Sequence, residues 1–79
     1  PQVRVRLEGH TDIIGSEAIN SALSLKRANA IKELLVNDYQ FQPTSIDVVG
    51  MSSKMPAADN ATVEGRQRNR RVEFIILAE

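Results

Sequence analysis

Alternating apolar and polar residues predict a β-strand at the start of the chain. Val3, Val5 and Leu7 alternate with charged residues, which gives a period of two and one apolar face. Gly9 is expected to end this strand, and a loop is expected to continue through Gly15. The first strand should therefore bury one face and expose the other.

The pattern then becomes helical. Apolar residues at spacings of three, four and seven form one stripe, which comprises Ile19, Leu23, Ala30, Ile31, Leu34 and Leu35. The hydroxyl of Ser16 or of Ser24 can cap the first turn, so the pattern allows one long helix or a turn followed by a shorter helix. The helix is expected to end near Asn37 and Asp38, because Pro43 cannot continue it.

Two more strands and a short helix complete the predicted elements. Residues 45–50 are predicted to form the second strand, and residues 62–69 a short helix capped by Asn60 or Thr62. Residues 71–78 are predicted to form the last strand. Because that strand is apolar at most positions, it is expected to be covered on much of both faces, as a central strand is.

Together these elements predict an α+β fold, a small mixed β-sheet with helices on one face. The order strand, helix, strand places the first two strands parallel. The last strand is expected to pair antiparallel with the first, where Glu73 would face Arg4 or Arg6. The first strand then lies between the other two. Residues 1–79 are enough for one domain with a thin core.

Composition excludes several classes of function. Ten basic and ten acidic residues cancel, which argues against nucleic acid as a partner despite a basic cluster comprising Arg66, Arg68, Arg70 and Arg71. The chain has no Cys, so it has neither a disulfide framework nor a thiolate metal site. His10 is the only histidine. A single histidine makes a poor metal site, so we predict neither a metal nor a cofactor.

Catalytic and membrane-spanning patterns are also lacking in the sequence. No Ser–His–Asp or Cys–His order is recognisable, and no pair of acids is placed for glycoside hydrolysis. No apolar run approaches the roughly 20 residues that span a bilayer. The chain begins with Pro rather than Met, so we expect it to be part of a longer protein, whose membrane anchor would lie outside this chain.

Arg27 is a charged residue on the apolar stripe of its helix, four residues after Leu23 and four before Ile31. An unpaired buried guanidinium is disfavoured, so Arg27 needs an anion. Asp12 is the natural candidate, because it follows the first strand at the edge where open sheets bind ligands. Two interpretations remain open. The two residues form a structural ion pair, or they hold the ammonium and the carboxylate of a zwitterionic ligand.

Two ordered sets of residues resemble the OmpA-like (OmpA/MotB) family of peptidoglycan-binding domains. The first set comprises Gly9-His10-Thr11-Asp12, Gly15, Asn20, Leu23-Ser24 and Arg27-Ala28. The second set comprises Gly50, Pro56, Asn60, Thr62, Gly65-Arg66 and Asn69-Arg70-Arg71-Val72-Glu73. The resemblance runs from about residue 3 to residue 76, which is nearly the whole chain.

This resemblance implies a non-catalytic module that binds the diaminopimelate of the peptidoglycan peptide stem. Such a module ties an outer-membrane or other envelope protein to the cell wall in the periplasm. By the same resemblance, Asp12 and Arg27 hold the diaminopimelate side chain, and Thr11, Asn20 and Leu23 line or shape the pocket. The alternative is the same fold in a flagellar-motor or secretion-system subunit, used for wall attachment or assembly.

The chain departs from the family pattern in two respects. The family usually has a second glycine two positions after the one at Gly50, and here that position is Ser52. The family fold also begins with an extra strand and helix before the strand at Val3, so we expect an N-terminally incomplete form of the domain. The strand edge left open in that form would favour pairing of two copies into a homodimer.

Overall fold

The computed structural model describes residues 3–78, which form a three-stranded sheet and two helices. In chain order the elements are β1 (Arg4–His10), α1 (Glu17–Tyr39), a 3-10 turn (Pro43–Ser45), β2 (Ile46–Ser52), α2 (Val63–Asn69) and β3 (Val72–Ala78). The strand order is β2-β1-β3, with β1 parallel to β2 and antiparallel to β3. The predicted α+β class, strand order and strand directions are confirmed.

Strand β1 continues through Gly9, so the prediction that this glycine ends the strand is wrong. Gly9 pairs with Gly50 of β2 and with Val72 of β3. A Cβ atom at Gly9 would lie 1.9 Å from the carbonyl oxygen of Ser24 on α1, and one at Gly50 would lie 2.9 Å from Ser24 Oγ. At both glycines, therefore, α1 approaches the sheet backbone too closely to leave room for a side chain.

Helix α1 is one continuous helix, which decides between the two arrangements that the sequence left open. Ser16 caps it, because its Oγ accepts a hydrogen bond from Ile19 N–H at 3.2 Å. Ser24 lies buried in the helix interior and is not a cap. The helix ends at Tyr39, slightly later than predicted, and Gln40 closes it in a left-handed conformation with a φ of 60°.

The buried face of α1 differs from the predicted apolar stripe in its N-terminal half. Asn20 and Ser24 are buried there, whereas Ile19 of the predicted stripe is exposed. In the C-terminal half, Ala30 and Leu34 of the predicted stripe are exposed as well. The prediction holds better near the C-terminal end, where the core comprises Val5, Leu7, Ala28 and Ile46 with Ile31, Leu35 and Val36 packed against it. Neither of the two described helices is both long enough and apolar enough to cross a membrane.

Strand β3 lies at an edge of the sheet, so the prediction that it is covered on both faces is wrong. Phe74 is 48% exposed and Ile76 is 60% exposed. Both lie opposite buried core residues of β1, Leu7 and Val5, and so belong to the face that α1 covers. Because α1 packs on β1 and β2, it leaves Phe74 and Ile76 of β3 open to solvent.

The predicted pairing of Glu73 with Arg4 or Arg6 is also wrong, because Glu73 faces Glu8. Two carboxylates on directly opposite positions repel each other. Each is compensated by a neighbouring arginine: Arg6 Nη2 lies 3.0 Å from Glu8 Oε2, and Arg71 Nε donates to Glu73 Oε2 at 2.6 Å. Arg6 of β1 and Arg71, which directly precedes β3, therefore neutralise a pair that would otherwise destabilise the sheet.

Helix α2 is held against the loop that precedes it. Thr62 is its N-cap, with Oγ1 accepting a hydrogen bond from the third helical N–H at 2.9 Å. The other candidate cap, Asn60, instead accepts a hydrogen bond from Asn69 Nδ2 at 2.7 Å. Asn69 is fully buried, accepts from the N–H groups of Ala57 and Ala58 at 2.8 Å, and donates to Ala58 O at 3.0 Å. The position of the residues after α2 is therefore well determined.

Candidate functional site

Thr11 and Asp12 follow the C-terminal end of β1, and both are buried. Thr11 N–H donates to the carbonyl of Ser52 at 2.9 Å, which ties this segment to the end of β2. Asp12 Oδ1 accepts a hydrogen bond from Ile14 N–H at 3.0 Å, and its carbonyl oxygen accepts one from Asn20 Nδ2 at 3.4 Å. The structure therefore brings three of the predicted site residues together where α1 begins.

The carboxylate of Asp12 is paired with Arg70, not with Arg27. Arg70 Nη1 donates to Asp12 Oδ2 at 2.7 Å, and the side chains of Asp12 and Arg70 are 8% and 40% exposed. The structural ion pair between Asp12 and Arg27 that the sequence left open is thus not formed. Sequence reasoning placed Arg70 only in a basic cluster, and its one signal was the Asn69-Arg70-Arg71 string of the family resemblance.

Arg27 lies two helical turns after Asn20 on α1 and is partly buried, as is Leu23 between them. Its Nη1 atom is buried and has no hydrogen-bond partner among residues 3–78. Thr11 Oγ1 is buried without a partner in the same part of the chain. Buried polar atoms are nearly always hydrogen-bonded, because leaving one unpaired costs roughly 1–3 kcal/mol. These two atoms are therefore polar groups whose hydrogen bonds the residues 3–78 do not supply.

The end of β1 thus carries the carboxylate of Asp12 and the guanidinium of Arg70, and Arg27 lies further along α1. Asp12 can accept hydrogen bonds from a cationic group, and Arg27 can donate to an anionic group through a planar fork. With Arg70 included, the three side chains carry a formal charge of plus one. This arrangement suits a ligand that carries an ammonium group and more than one carboxylate.

Ser52 occupies the position where the family usually has glycine, and its φ of 54° lies in the left-handed region that favours glycine. Its N–H donates to Ser24 Oγ at 3.1 Å, and its hydroxyl donates to Glu17 Oε2 at 3.0 Å. The serine side chain therefore links the end of β2 to the first turn of α1. Because Ser52 also accepts the Thr11 hydrogen bond, this link supports the site directly.

His10 is buried beside the two opposed carboxylates. Its Nε2 lies 3.5 Å from Glu8 Oε1 and 3.8 Å from Glu73 Oε2. Burial lowers the pKa of His10, and the Arg71 guanidinium lowers it further, while Glu73 and Glu8 act in the opposite direction. The three side chains have the donor atoms of a metal site, but arginines already pair with both carboxylates. The cluster is better explained as a charge network that supports the strand preceding Thr11.

Comparison with known proteins identifies the family that this sequence matches. The model of the OmpA family matches residues 1–70. Outer membrane porin F of Pseudomonas aeruginosa is 47% identical over 79 residues, which are 100% of this chain and 23% of the porin. Peptidoglycan-binding protein ArfA of Mycobacterium tuberculosis is 45% identical over 76 residues, which are 96% of this chain and 23% of ArfA.

A solved structure shares the fold over nearly the whole chain. The peptidoglycan-associated lipoprotein from Burkholderia pseudomallei superposes with a TM-score of 0.92 at 26% sequence identity, covering 98% of this chain and 64% of that chain. The chain therefore spans less than a quarter of the two curated relatives and less than two thirds of this solved structure.

Proposed function

This chain belongs to the OmpA family, and from that premise we propose that it is a non-catalytic module that binds peptidoglycan without covalent attachment. Two of the similar proteins are named for this property, one as peptidoglycan-binding and one as peptidoglycan-associated. A third is an outer membrane porin. We propose accordingly that the module works in the periplasm and attaches an envelope protein to the wall.

We infer that the ligand group is the diaminopimelate side chain of the peptide stem, which ends in an ammonium and a carboxylate on one carbon. Asp12 accepts hydrogen bonds from the ammonium, and Arg27 donates to the carboxylate. The observation that carries this inference is the buried, unpartnered Nη1 of Arg27, together with the unpartnered hydroxyl of Thr11. Asn20 holds the carbonyl of Asp12 in place, and Leu23 offers apolar surface to the ligand methylenes.

The size of the effect follows from the type of contact. A hydrogen bond to a charged group contributes about 1.5–3 kcal/mol, so the loss of one such contact weakens binding by roughly 10- to 150-fold. Arg27→Lys keeps the charge but loses the planar fork that can hold a carboxylate with two parallel hydrogen bonds. It should therefore bind nearly as poorly as Arg27→Ala.

Sedimentation with purified sacculi tests the proposal. Asp12→Ala, Arg27→Ala and Arg27→Lys should each abolish sedimentation with the wall while the circular dichroism spectrum stays nearly the same. Asp12→Asn is the sharper variant, because the amide oxygen can still accept from Ile14 N–H while the negative charge is removed. Lys26→Ala is the matched control, since it removes one positive charge from an exposed neighbouring position of α1.

Two results would contradict the proposal. The first is that folded Asp12→Asn and Arg27→Lys proteins sediment with sacculi as the unaltered protein does. The second is equal binding to sacculi in which lysine replaces diaminopimelate, because lysine lacks the second carboxylate that Arg27 is proposed to hold.

A further inference from the structure

Strand β2 has one residue more than β1 where the two strands approach the candidate site. Gly9 pairs with Gly50. The next residue of β1, His10, pairs with Ser52, which leaves Met51 without a partner on β1. Such an extra residue is a β-bulge, which bends a strand and turns the groups beyond it in a new direction. The bulge therefore determines where the polar groups of Ser52 point.

All three polar groups of Ser52 are hydrogen-bonded, and the residue is buried. Its N–H donates to Ser24 Oγ at 3.1 Å, and its hydroxyl donates to Glu17 Oε2 at 3.0 Å. Its carbonyl oxygen accepts from Thr11 N–H at 2.9 Å. A glycine could make both backbone contacts, so the bond to Glu17 is the one that depends on the serine side chain.

Ser52 makes these contacts in a strained backbone conformation. Among the described residues 3–78, only Gln40 and Ser52 have a positive φ without being glycine. Gln40 closes α1, where a left-handed residue is common. Ser52, with a φ of 54°, closes no helix and lies beside the site, where strained residues are often found. Glycine would relieve the strain, so the serine adds only its hydroxyl contact in this conformation.

We propose that Ser52 is a positioning residue for the ligand site, and that its hydrogen bond to Glu17 locks the bulge in the conformation that binds the ligand. Glu17 is the first residue of α1, so this bond ties the end of β2 to a rigid element. The carbonyl of Ser52 in turn holds the backbone of Thr11, which directly precedes Asp12. A site that is already ordered binds more tightly, because less ordering is required on binding.

The inference rests on the proposed function, because it concerns the same site. Titration calorimetry with the synthetic tripeptide L-alanyl-γ-D-glutamyl-meso-diaminopimelate tests it. Ser52→Gly should weaken binding by about three- to tenfold, as expected for one lost hydrogen bond, although glycine relieves the backbone strain. Its circular dichroism spectrum should stay the same. Glu33→Ala is the control for the loss of a carboxylate from α1, since Glu33 is exposed and far along the helix.

Variants of Glu17 separate the hydrogen bond from the negative charge. Glu17→Ala should weaken binding as much as Ser52→Gly does. The double variant should bind no more weakly than either single variant, because both substitutions remove the same hydrogen bond. Glu17→Gln should recover most of the binding that Glu17→Ala loses, since its amide oxygen can still accept from the Ser52 hydroxyl.

Amide hydrogen exchange gives a second measurement, which a purely structural role of Ser52 would not change in the same way. In Ser52→Gly, the Thr11 amide should exchange about three- to tenfold faster relative to the amide of Leu7, in the middle of β1. A substitution that only changed global stability would shift the exchange of both amides together.

Three results would overturn the inference: unchanged binding by Ser52→Gly, additive losses in the double variant, or binding by Glu17→Gln as weak as that by Glu17→Ala. The last result would assign the effect to the charge of Glu17. In each case Asp12→Asn and Arg27→Lys should still lose binding, so the proposed function would stand. If those two variants bind the tripeptide normally, or the unaltered protein does not bind it, the proposed function fails and this inference fails with it.

Discussion

Replacement of Gly9 by alanine tests whether the missing side chain at this position is what allows α1 to pack on the sheet. The new Cβ would lie 1.9 Å from the carbonyl oxygen of Ser24 and 2.7 Å from its carbonyl carbon. An aliphatic carbon and a carbonyl oxygen normally approach to about 3.3 Å, so the shortfall is roughly 1.4 Å. Because the obstructing atoms belong to the helix backbone, no side-chain rotation can relieve the clash.

The helix would therefore have to move away from β1 by about an ångström or more. A gap of about 0.5–1 Å removes a quarter to a half of the attraction between packed atoms, and α1 packs on β1 and β2, which supply the core residues Val5, Leu7 and Ile46. Overpacking that side chains can absorb costs about 1–3 kcal/mol. We expect Gly9→Ala to cost about 3 kcal/mol or more, which is a large part of the roughly 4–12 kcal/mol typical of a domain of this length.

Urea denaturation followed by circular dichroism measures this loss, and Gly50→Ala provides the contrast. There the new Cβ would lie 2.9 Å from Ser24 Oγ and 3.1 Å from Leu25 Cβ, so one obstructing atom is a hydroxyl. Each double variant with Ser24→Ala is compared with Ser24→Ala alone. In that comparison, Gly50→Ala should cost less stability than it does in the unaltered protein, because the obstructing hydroxyl is absent. Gly9→Ala should cost as much as before. A loss below about 1 kcal/mol for Gly9→Ala, or equal rescue of both alanine variants, would refute this explanation of the packing.

Two further predictions concern the pH dependence of stability and the state of association. Because the pKa of buried His10 lies below its ordinary value of 6.5, its stabilising contribution is complete above pH 6.5 and is lost as the pH falls below it. Between pH 7 and pH 5.5 the free energy of unfolding should fall by at most about 1.4 kcal/mol per pH unit. It should fall less steeply in His10→Gln. Equal pH dependence of the unfolding free energy in the two proteins would contradict this prediction. The open edge of β3, with its exposed Phe74 and Ile76, should pair two copies of this chain at high concentration. Sedimentation should show a mass that rises with concentration for the unaltered chain and a monomer for Ile76→Lys, and a monomer for both would show that the edge does not associate.

The elements of the fold could be predicted from local patterns because their causes are local. A period of two marked the strand around Val5, and the hydroxyls of Ser16 and Thr62 cap the helices that follow them. The parallel pairing of β1 and β2 followed from the intervening helix. Local pattern could not give the rotation of α1, because the two glycines that allow its close approach lie on different strands. Close backbone contact placed Ser24 on the buried face and left Ile19 outside it.

Burial of β3 could not be predicted for a related reason. The apolar residues of a strand show that burial of the strand would be favourable. Burial also requires another helix or strand that packs on it. In the described structure α1 packs on β1 and β2, so Phe74 and Ile76 have apolar side chains on the core-facing side without a helix above them. Hydrophobicity along one strand therefore predicts which face should be covered and does not predict whether it is.

The pairing of charges at the candidate site also depends on residues that are far apart in the sequence. Sequence reasoning could predict that Arg27 needs an anion, because its position on the helix is a local property. It could not predict that Arg70, 58 residues from Asp12, would take the carboxylate instead. The location of Arg70 depends on Asn69 and on the loop that this buried amide holds together. Arg70 thus takes the acidic partner that the sequence reasoning assigned to Arg27, and Arg70 is the more exposed of the two arginines. The Nη1 atom of Arg27 has no hydrogen-bond partner among residues 3–78, and in the proposed function a ligand carboxylate supplies that partner.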